Sequence, residues 1–263
     1  MGSVLSEDLL QKLAVISARE TLSFFRGNNN VTNKVDGGFD PVTEADRNTE
    51  LEIRKLIRAA YPEDRILGEE FGEEGLFGER TWVIDPIDGT RSFISGIPLW
   101  GTLVGVLENG VAVAGTMIQP FTRELFYANG EGTHYQGPLG NFRLAARSTT
   151  ELSQATLFTT NPFIFDSAQN ASFTRLREIV KLSRYGTDSY AYCMLAAGNI
   201  DLVVEAGLQP YDIVALIPII EQAGGVVTNW RGGRAEYGGS IIAAANKILH
   251  HKALATLANS LDE

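Results

Sequence analysis

The chain has 263 residues, 44% of them apolar, and a formal net charge of −10. That length suits one α/β unit, or two closely joined subdomains, with a sizeable core. No run approaches the ~20 apolar residues of a membrane span, and the acidic balance speaks against nucleic acid, whose phosphates call for a basic stripe.

The single cysteine, Cys193, excludes an intrachain disulfide and fits a reducing compartment: cytoplasm, or plastid stroma if the source is a plant with a transit peptide outside this chain. The first residues lack a basic region followed by an apolar stretch, so no signal peptide is predicted. Three histidines, His134, His250 and His251, give little basis for a histidine triad or a zinc cluster.

In chain order, Leu9, Leu13 and Ile16 predict a helix running toward Phe24, ended by Gly27 and the Asn28–Asn30 run, with a polar loop to Pro41. Thr43 reads as the N-cap of a second helix with Ile53, Leu56, Ile57 and Ala60 on its apolar face and Pro62 at its end. Asp46 lies in its first turn, where the helix dipole favours an acid whatever its function. Ile66-Leu67-Gly68 reads as a short strand followed by Glu69 and Glu70. Trp82-Val83-Ile84 predicts a buried strand that stops at Asp85, with Pro86, Asp88, Gly89 and Thr90 in a tight turn. Two carboxylates so placed repel and need a cation or a proton; the plain alternative is a turn with two solvated acids. Leu99–Leu107 and Val111–Ile118 read as strands joined by Glu108-Asn109-Gly110, with Leu125–Ala128 a third. Gly130-Glu131-Gly132 lacks the third glycine and helix of a dinucleotide fingerprint, and His134 reads as part of this Gly-rich turn.

A loop-rich passage leads to a strand at Ala155–Thr160 and a helix marked by Phe173, Leu176, Ile179 and Val180. Tyr190–Ala197 is helical in pattern, Leu202–Glu205 is a strand with an acid at its end, and Asp212 opens a long apolar helix to Ala223. Pro218 should kink that helix or weaken one turn. Strands at Val226–Thr228 and Ile241–Ala244 and a helix at Lys247–Leu257 close the chain. Cys193, Trp100 and Trp230 read as core.

Acids thus recur at strand ends and helix starts: Glu69, Asp85 with Asp88, Glu205 and Asp212. In α/β folds ligands collect at the carboxyl ends of strands, so these acids can converge. A carboxylate cluster is what hard, oxygen-seeking Mg²⁺ prefers, and two such ions suit phosphoryl transfer to water without a protein nucleophile.

Asp40–Asp46 (D-P-V-T-E-A-D), Gly68–Glu70 (G-E-E), Trp82–Thr90 (W-V-I-D-P-I-D-G-T) and the Tyr211–Gly225 stretch, in this order, resemble the inositol-monophosphatase superfamily. Arg91–Gly96, Arg184–Tyr192 and Gln209–Asp212 are most similar to its histidinol-phosphate phosphatase branch. The resemblance implies an α/β layered sandwich of αβαβα type, with an N-terminal metal-bearing half over 1–145, an α/β half over 146–263 and the site in the cleft between them. It implies two or three Mg²⁺ ions: Glu69, Asp85 and the Ile87 carbonyl on the first, and Asp85, Asp88 and Asp212 on the second. Asp46 would stand behind a weaker third ion. Glu69, Thr90 and Asp46 would serve catalysis, Asp46 and Thr90 by orienting the attacking water. The amides of Gly89 and Thr90 would take the phosphate. Asp188 and Glu205 would face the organic half of the substrate, Asp188 also being suited to cap the Tyr190–Ala197 helix. Arg184 and Arg91 are read as contacts to phosphate, to a neighbouring subunit or to solvent. The implied activity is Mg²⁺-dependent hydrolysis of histidinol phosphate in histidine biosynthesis, by a homo-oligomer, with a dimer expected. The alternatives are an inositol monophosphatase, a broader sugar or nucleotide phosphatase, or a silent binding protein; retention of Glu69, Asp85, Asp88, Thr90 and Asp212 speaks against the last.

Overall fold

The computed structural model describes residues 5–27, 32–33, 41–75 and 78–258. The Asn28–Asn30 run and Asp40 lie outside the described residues. Ser6 opens helix α1 (Glu7–Leu22), its hydroxyl accepting from the Leu9 N–H, and the helix buries Leu9, Leu10 and Leu13. Two short strands, β1 (Thr32–Asn33) and β2 (Pro41–Val42), pair antiparallel ahead of α2 (Glu44–Ala60). As the sequence predicts, Thr43 caps α2, in a reciprocal capping box with Asp46.

Then follow β3 (Arg65–Gly68), β4 (Gly72–Glu74), β5 (Arg80–Asp88), the short helix α3 (Thr90–Ile94), β6 (Gly101–Glu108), β7 (Val111–Gln119), β8 (Glu124–Ala128), β9 (Thr133–Gly137) and β10 (Gly140–Arg143). Their strands form one sheet in the order β10-β9-β8-β7-β6-β5-β3-β4, antiparallel except where β3 meets β5. Asn109 (φ 50°) and Gly110 (φ 76°) turn the β6–β7 hairpin in left-handed conformations, as a two-residue loop requires.

The β9–β10 hairpin corrects the loop read from the sequence, and it places His134 in a strand. Only Thr133 and Tyr135 of β9 are buried and β10 is exposed throughout, so neither carries a hydrophobic period.

The strand before the acids also differs from expectation. β5 does not stop at Asp85 but runs on to Asp88 through a bulge, in which Pro86 and Ile87 oppose Thr102 alone. Proline suits this position because no ladder donor is needed there. The Pro86 carbonyl accepts from the Thr102 hydroxyl at 2.8 Å, and Thr102 meets Ser17 of α1 at 2.6 Å.

The second half comprises β11 (Thr156–Thr159), α4 (Ser167–Ile179), β12 (Leu182–Tyr185), α5 (Asp188–Ala196), β13 (Leu202–Leu208), α6 (Pro210–Ile213), α7 (Leu216–Glu221), β14 (Val226–Asn229), β15 (Gly239–Ala244) and α8 (Lys247–Ala258). The sheet order is β12-β11-β13-β15-β14, with β11 parallel to both its neighbours. The exposed edge strand β12 was not visible as a strand in the sequence.

Burial sorts these elements into five layers. Leu10 and Leu13 of α1 and Ile53 and Ile57 of α2 pack on Trp82, Ile84 and Val104 of the first sheet. Its other face, through Val83 and Leu103, shares a core with α5, α7 and the Val203 and Ile241 side of the second sheet. Leu202, Val204 and Ile242 point the other way, onto α4 and α8. The α/β layered sandwich read from the sequence is therefore the observed architecture, in the order αβαβα. Among the described residues no helix is long and apolar enough to cross a membrane.

The apolar helix opened by Asp212 is divided at Val214–Ala215. Both residues keep helical dihedrals, but Pro218 has no N–H for the Val214 carbonyl and its ring crowds it. The freed backbone rests on Gly105 and Gly115, paired across β6 and β7. A Cβ at Gly105 would lie 2.7 Å from the Ala215 nitrogen, and one at Gly115 would overlap the Ala215 carbonyl oxygen. Gly115→Ala should therefore cost ~1–3 kcal/mol of stability in urea denaturation. Gly78→Ala, whose Cβ meets nothing nearer than 3.4 Å, should stay within about 0.5 kcal/mol of the parent.

Candidate active site

Along a regular strand, residues three apart point to opposite faces. The extra residue in the β5 bulge cancels that alternation, so Asp85 and Asp88 enter the same cavity. Asp212 arrives from α6, where its carboxylate accepts from the Gln209 N–H at 2.7 Å. Carboxylate oxygens of Asp85, Asp88 and Asp212 all lie within 4.8 Å of one another. Glu69 follows β3, its N–H donating to the Ile84 carbonyl at 3.1 Å, which sets it beside Asp85. The cavity they share has a volume of about 340 Å³.

Charge is the dominant feature. Burial, then the negative neighbours Glu69, Asp88 and Asp212, push the Asp85 carboxyl well above the usual range. Burial lifts Asp88 to about 7, with Asp188 adding and the Ser189 hydrogen bonds opposing. Burial and then Asp88 take Asp212 to about 8. The Asp85 Oδ1 atom is buried and has no hydrogen-bond partner. Clustered carboxylates that cannot all ionise alone, one with an orphaned buried oxygen, fit a hard divalent cation such as Mg²⁺.

Gly89 follows with φ +82°, and a Cβ there would stand 3.1 Å from both Asp188 Oδ2 and the Leu99 carbonyl oxygen. Thr90 opens α3 and its hydroxyl donates to the Ile87 carbonyl at 3.0 Å. Ile87, Gly89 and Thr90 all line the cavity. Asp46 does not. It is buried at the start of α2, accepting from the Thr43 N–H at 2.8 Å and hydroxyl at 2.5 Å. Burial takes it to about 7, with Glu69 and Glu70 near enough to raise it further.

Across the cavity stand Asp188 and Glu205. Asp188 is not the helix cap that its position allows. It is the first residue of α5, at a left-handed φ of 42°, and its carboxylate accepts from the Ser92 hydroxyl at 3.1 Å. The capping bond comes from the other sheet: Asp88 Oδ2 accepts from the Ser189 N–H at 2.7 Å. Glu205 lies within β13, just before its register shift, and accepts from the Thr160 N–H at 2.6 Å. Burial raises it to about 8. Arg91 lines the cavity, whereas Arg184 is exposed on edge strand β12 and does not reach it.

Sequence reasoning missed Thr160, Ser189 and Tyr192 in the lining. The Ser189 and Tyr192 hydroxyls are buried without hydrogen-bond partners. Burial pushes the Tyr192 phenol well up, so it stays a neutral donor. Within the apolar pattern of α5 these two read as packing, beside Cys193, which is indeed core.

Known proteins share both the sequence pattern and the fold. A sequence model described as the inositol monophosphatase family matches residues 7–262. The chain is 39% identical over 259 residues to a bifunctional phosphatase, IMPL2, chloroplastic, of Arabidopsis thaliana, covering 93% of this chain and 72% of that protein. It is 35% identical over 254 residues to a histidinol-phosphatase of Chlorobaculum parvum, covering 95% and 96%. Among solved structures, an inositol monophosphatase from Zymomonas mobilis superimposes with a TM-score of 0.84 at 35% identity, covering 95% of this chain and 96% of that one.

Proposed function

The chain belongs to the inositol monophosphatase family of phosphatases, and from that premise we propose that it hydrolyses histidinol phosphate to histidinol and phosphate. The observation that carries this reading is the pairing in one cavity of the Asp85–Asp88–Asp212 cluster with two further acids, Asp188 and Glu205. The first group suits a phosphate ester held through Mg²⁺, and the second suits an organic half bearing an amine and an imidazole. Three relatives are named histidinol-phosphatases, which supports the same substrate. With this reading go a role in histidine biosynthesis, a dimeric assembly, a cytoplasmic or plastid location and a metal-bearing half over 1–145 beside a substrate-selecting half over 146–263.

Asp85, Asp88 and Asp212, with Glu69 and the Ile87 carbonyl, would hold the Mg²⁺ ions. Bound there, the ions supply positive charge to the phosphate and acidify a water for attack. The amides at the start of α3, Gly89 and Thr90, donate to the phosphate oxygens. With its proton committed to Ile87, the Thr90 hydroxyl accepts from the attacking water and fixes its direction. Asp46, buried and bonded to Thr43 outside the cavity lining, would act with Thr90 on the attacking water only through a further, weaker ion. Asp188 and Glu205 bind the amine and the ring, and an arriving cation draws both toward the ionised form.

A second reading is hydrolysis of a polyol phosphate such as inositol phosphate. It is favoured by the partnerless hydroxyls of Ser189 and Tyr192, which suit a ring of hydroxyls. Initial rates with Mg²⁺ on the two esters side by side should favour histidinol phosphate; preference for the inositol ester overturns the substrate assignment. Release of no phosphate from any small phosphomonoester would leave a binding protein. Asp188→Ala should lower kcat/KM for histidinol phosphate by about 10–100-fold, the worth of a charged hydrogen bond, with a much smaller change for phenyl phosphate. Equal losses on both would reduce Asp188 to a support for Gly89.

A further inference from the structure

Helix α2 carries a buried polar stripe on its inner side: Asp46, Glu50 and Arg54, each one turn from the next. The Glu50 side chain is 0% exposed and that of Arg54 7%. Their partners lie on the β3–β4 turn, which carries Glu69 into the cavity, and on β4 itself. Glu50 Oε2 accepts from the Glu70 N–H at 2.7 Å, and its Oε1 accepts from Arg54 Nε at 2.8 Å and from the Phe71 N–H at 3.3 Å. Arg54 donates from one nitrogen to the Gly72 carbonyl at 2.5 Å and from another to Glu74 at 2.9 Å. Gly68 is the point of closest approach: a Cβ there would overlap the Glu50 carboxylate and lie 2.8 Å from an Arg54 nitrogen. Glu69 is thus bracketed in sequence by a residue pressed on this ion pair and by two amides bound to it.

We infer that Glu50 and Arg54 are positioning residues: together they set the place of Glu69, and through it the affinity of the site for its cation. This rests on the reading of Glu69 as a ligand for Mg²⁺. The chemistry of Glu50 leaves little freedom. Both of its oxygens face donors only, so glutamine must turn an NH₂ group toward either Arg54 or the Glu70 amide. The turn has to shift to relieve that clash. Groups that orient a metal ligand in this way are worth about 10–100-fold in metal affinity or activity.

The test is a Mg²⁺ titration of the substrate-free protein, read by calorimetry and by the cation-induced rise in melting temperature. Glu50→Gln should weaken Mg²⁺ binding about 10-fold or more. Should that variant fail to fold, Arg54→Lys, which keeps the charge but loses the forked contact to the turn, should show the same weakening to a smaller degree. Glu74→Gln, which alters only the exposed end of the network, should bind as the parent does. Variants of Glu50 and Arg54 that melt lower yet bind Mg²⁺ like the parent would make the pair a scaffold only and overturn the inference. A parent protein with no response to Mg²⁺ overturns the metal reading itself, and this inference with it.

Discussion

Asp85→Asn is expected to lower phosphomonoester hydrolysis by about a thousandfold or more, the equivalent of several kcal/mol of lost charge stabilisation. The residue lies within reach of both Asp88 and Asp212, and its orphaned oxygen is a buried acceptor with no donor. Asparagine keeps the shape and removes the charge. A second expectation separates this from simple damage to the fold. Because burial and like-charged neighbours hold Asp85 well above the usual carboxylate range, folding without Mg²⁺ is opposed at neutral pH, where the unfolded chain prefers this residue ionised. Asparagine abolishes that conflict, so in a chelator Asp85→Asn should melt several degrees higher than the parent at about pH 7, with the gain fading toward about pH 4. Its melting temperature should no longer respond to Mg²⁺. A variant that is inactive but melts lower than the parent at every pH would count against the charge-cluster account.

The stability of the cation-free parent should itself fall as pH rises toward 8. Asp46 and Asp88 titrate at about 7 in the folded protein, Glu205 and Asp212 at about 8, against ordinary values of 3.8 for Asp and 4.5 for Glu. Every one of these is raised on folding, so between these limits the native state holds protons that the unfolded chain has released. Their contribution is fully present below about pH 4 and is lost as pH rises through 7 to 8, at ~1.4 kcal/mol per pH unit for each proton retained. Chelator-treated protein should therefore melt lower at pH 8 than at pH 5.5, by roughly ten degrees or more. Saturating Mg²⁺, which binds the ionised carboxylates, should reverse most of this, with a stabilisation that grows with pH. A melting temperature in chelator that is flat or rises over this interval would show that the acids do not interact as described.

Much of this arrangement could be read from the chain, though not always for the right reason. Asp85 and Asp88 converge as expected, but by a bulge rather than a turn. A bulge is a property of pairing, set here by Thr102 and Gly101 on β6, and nothing local to Pro86 announces it. Glu69, Glu205 and Asp212 were legible because each acid borders an apolar run, which places a charge at the rim of a buried element, where ligands collect. Asp188 was legible as an acid near the site, while the place of its carboxylate beside Gly89 and Ser92 rests on contacts across nearly a hundred residues of chain. Pro218 announced the break in its helix, whereas the paired glycines that receive the break lie on other strands. The β9–β10 hairpin and β12 stayed hidden because exposed strands carry no hydrophobic period. Glu50 gave no signal, since one acid among several on a charged helix looks like solvated surface until its neighbours are known.

The bulge in β5 has one more consequence. It ties the site to a count of residues: two on β5 stand between the acids where β6 has one. Substituting Pro86 leaves that count intact; removing Pro86 or Ile87 does not. With one residue fewer, the strand would pair without a bulge and the two acids would still share a face, but a single carbonyl would replace the two, of Pro86 and Ile87, that Thr102 and Thr90 now bind. Over evolutionary time the two residues between the acids should therefore drift in type more freely than in number.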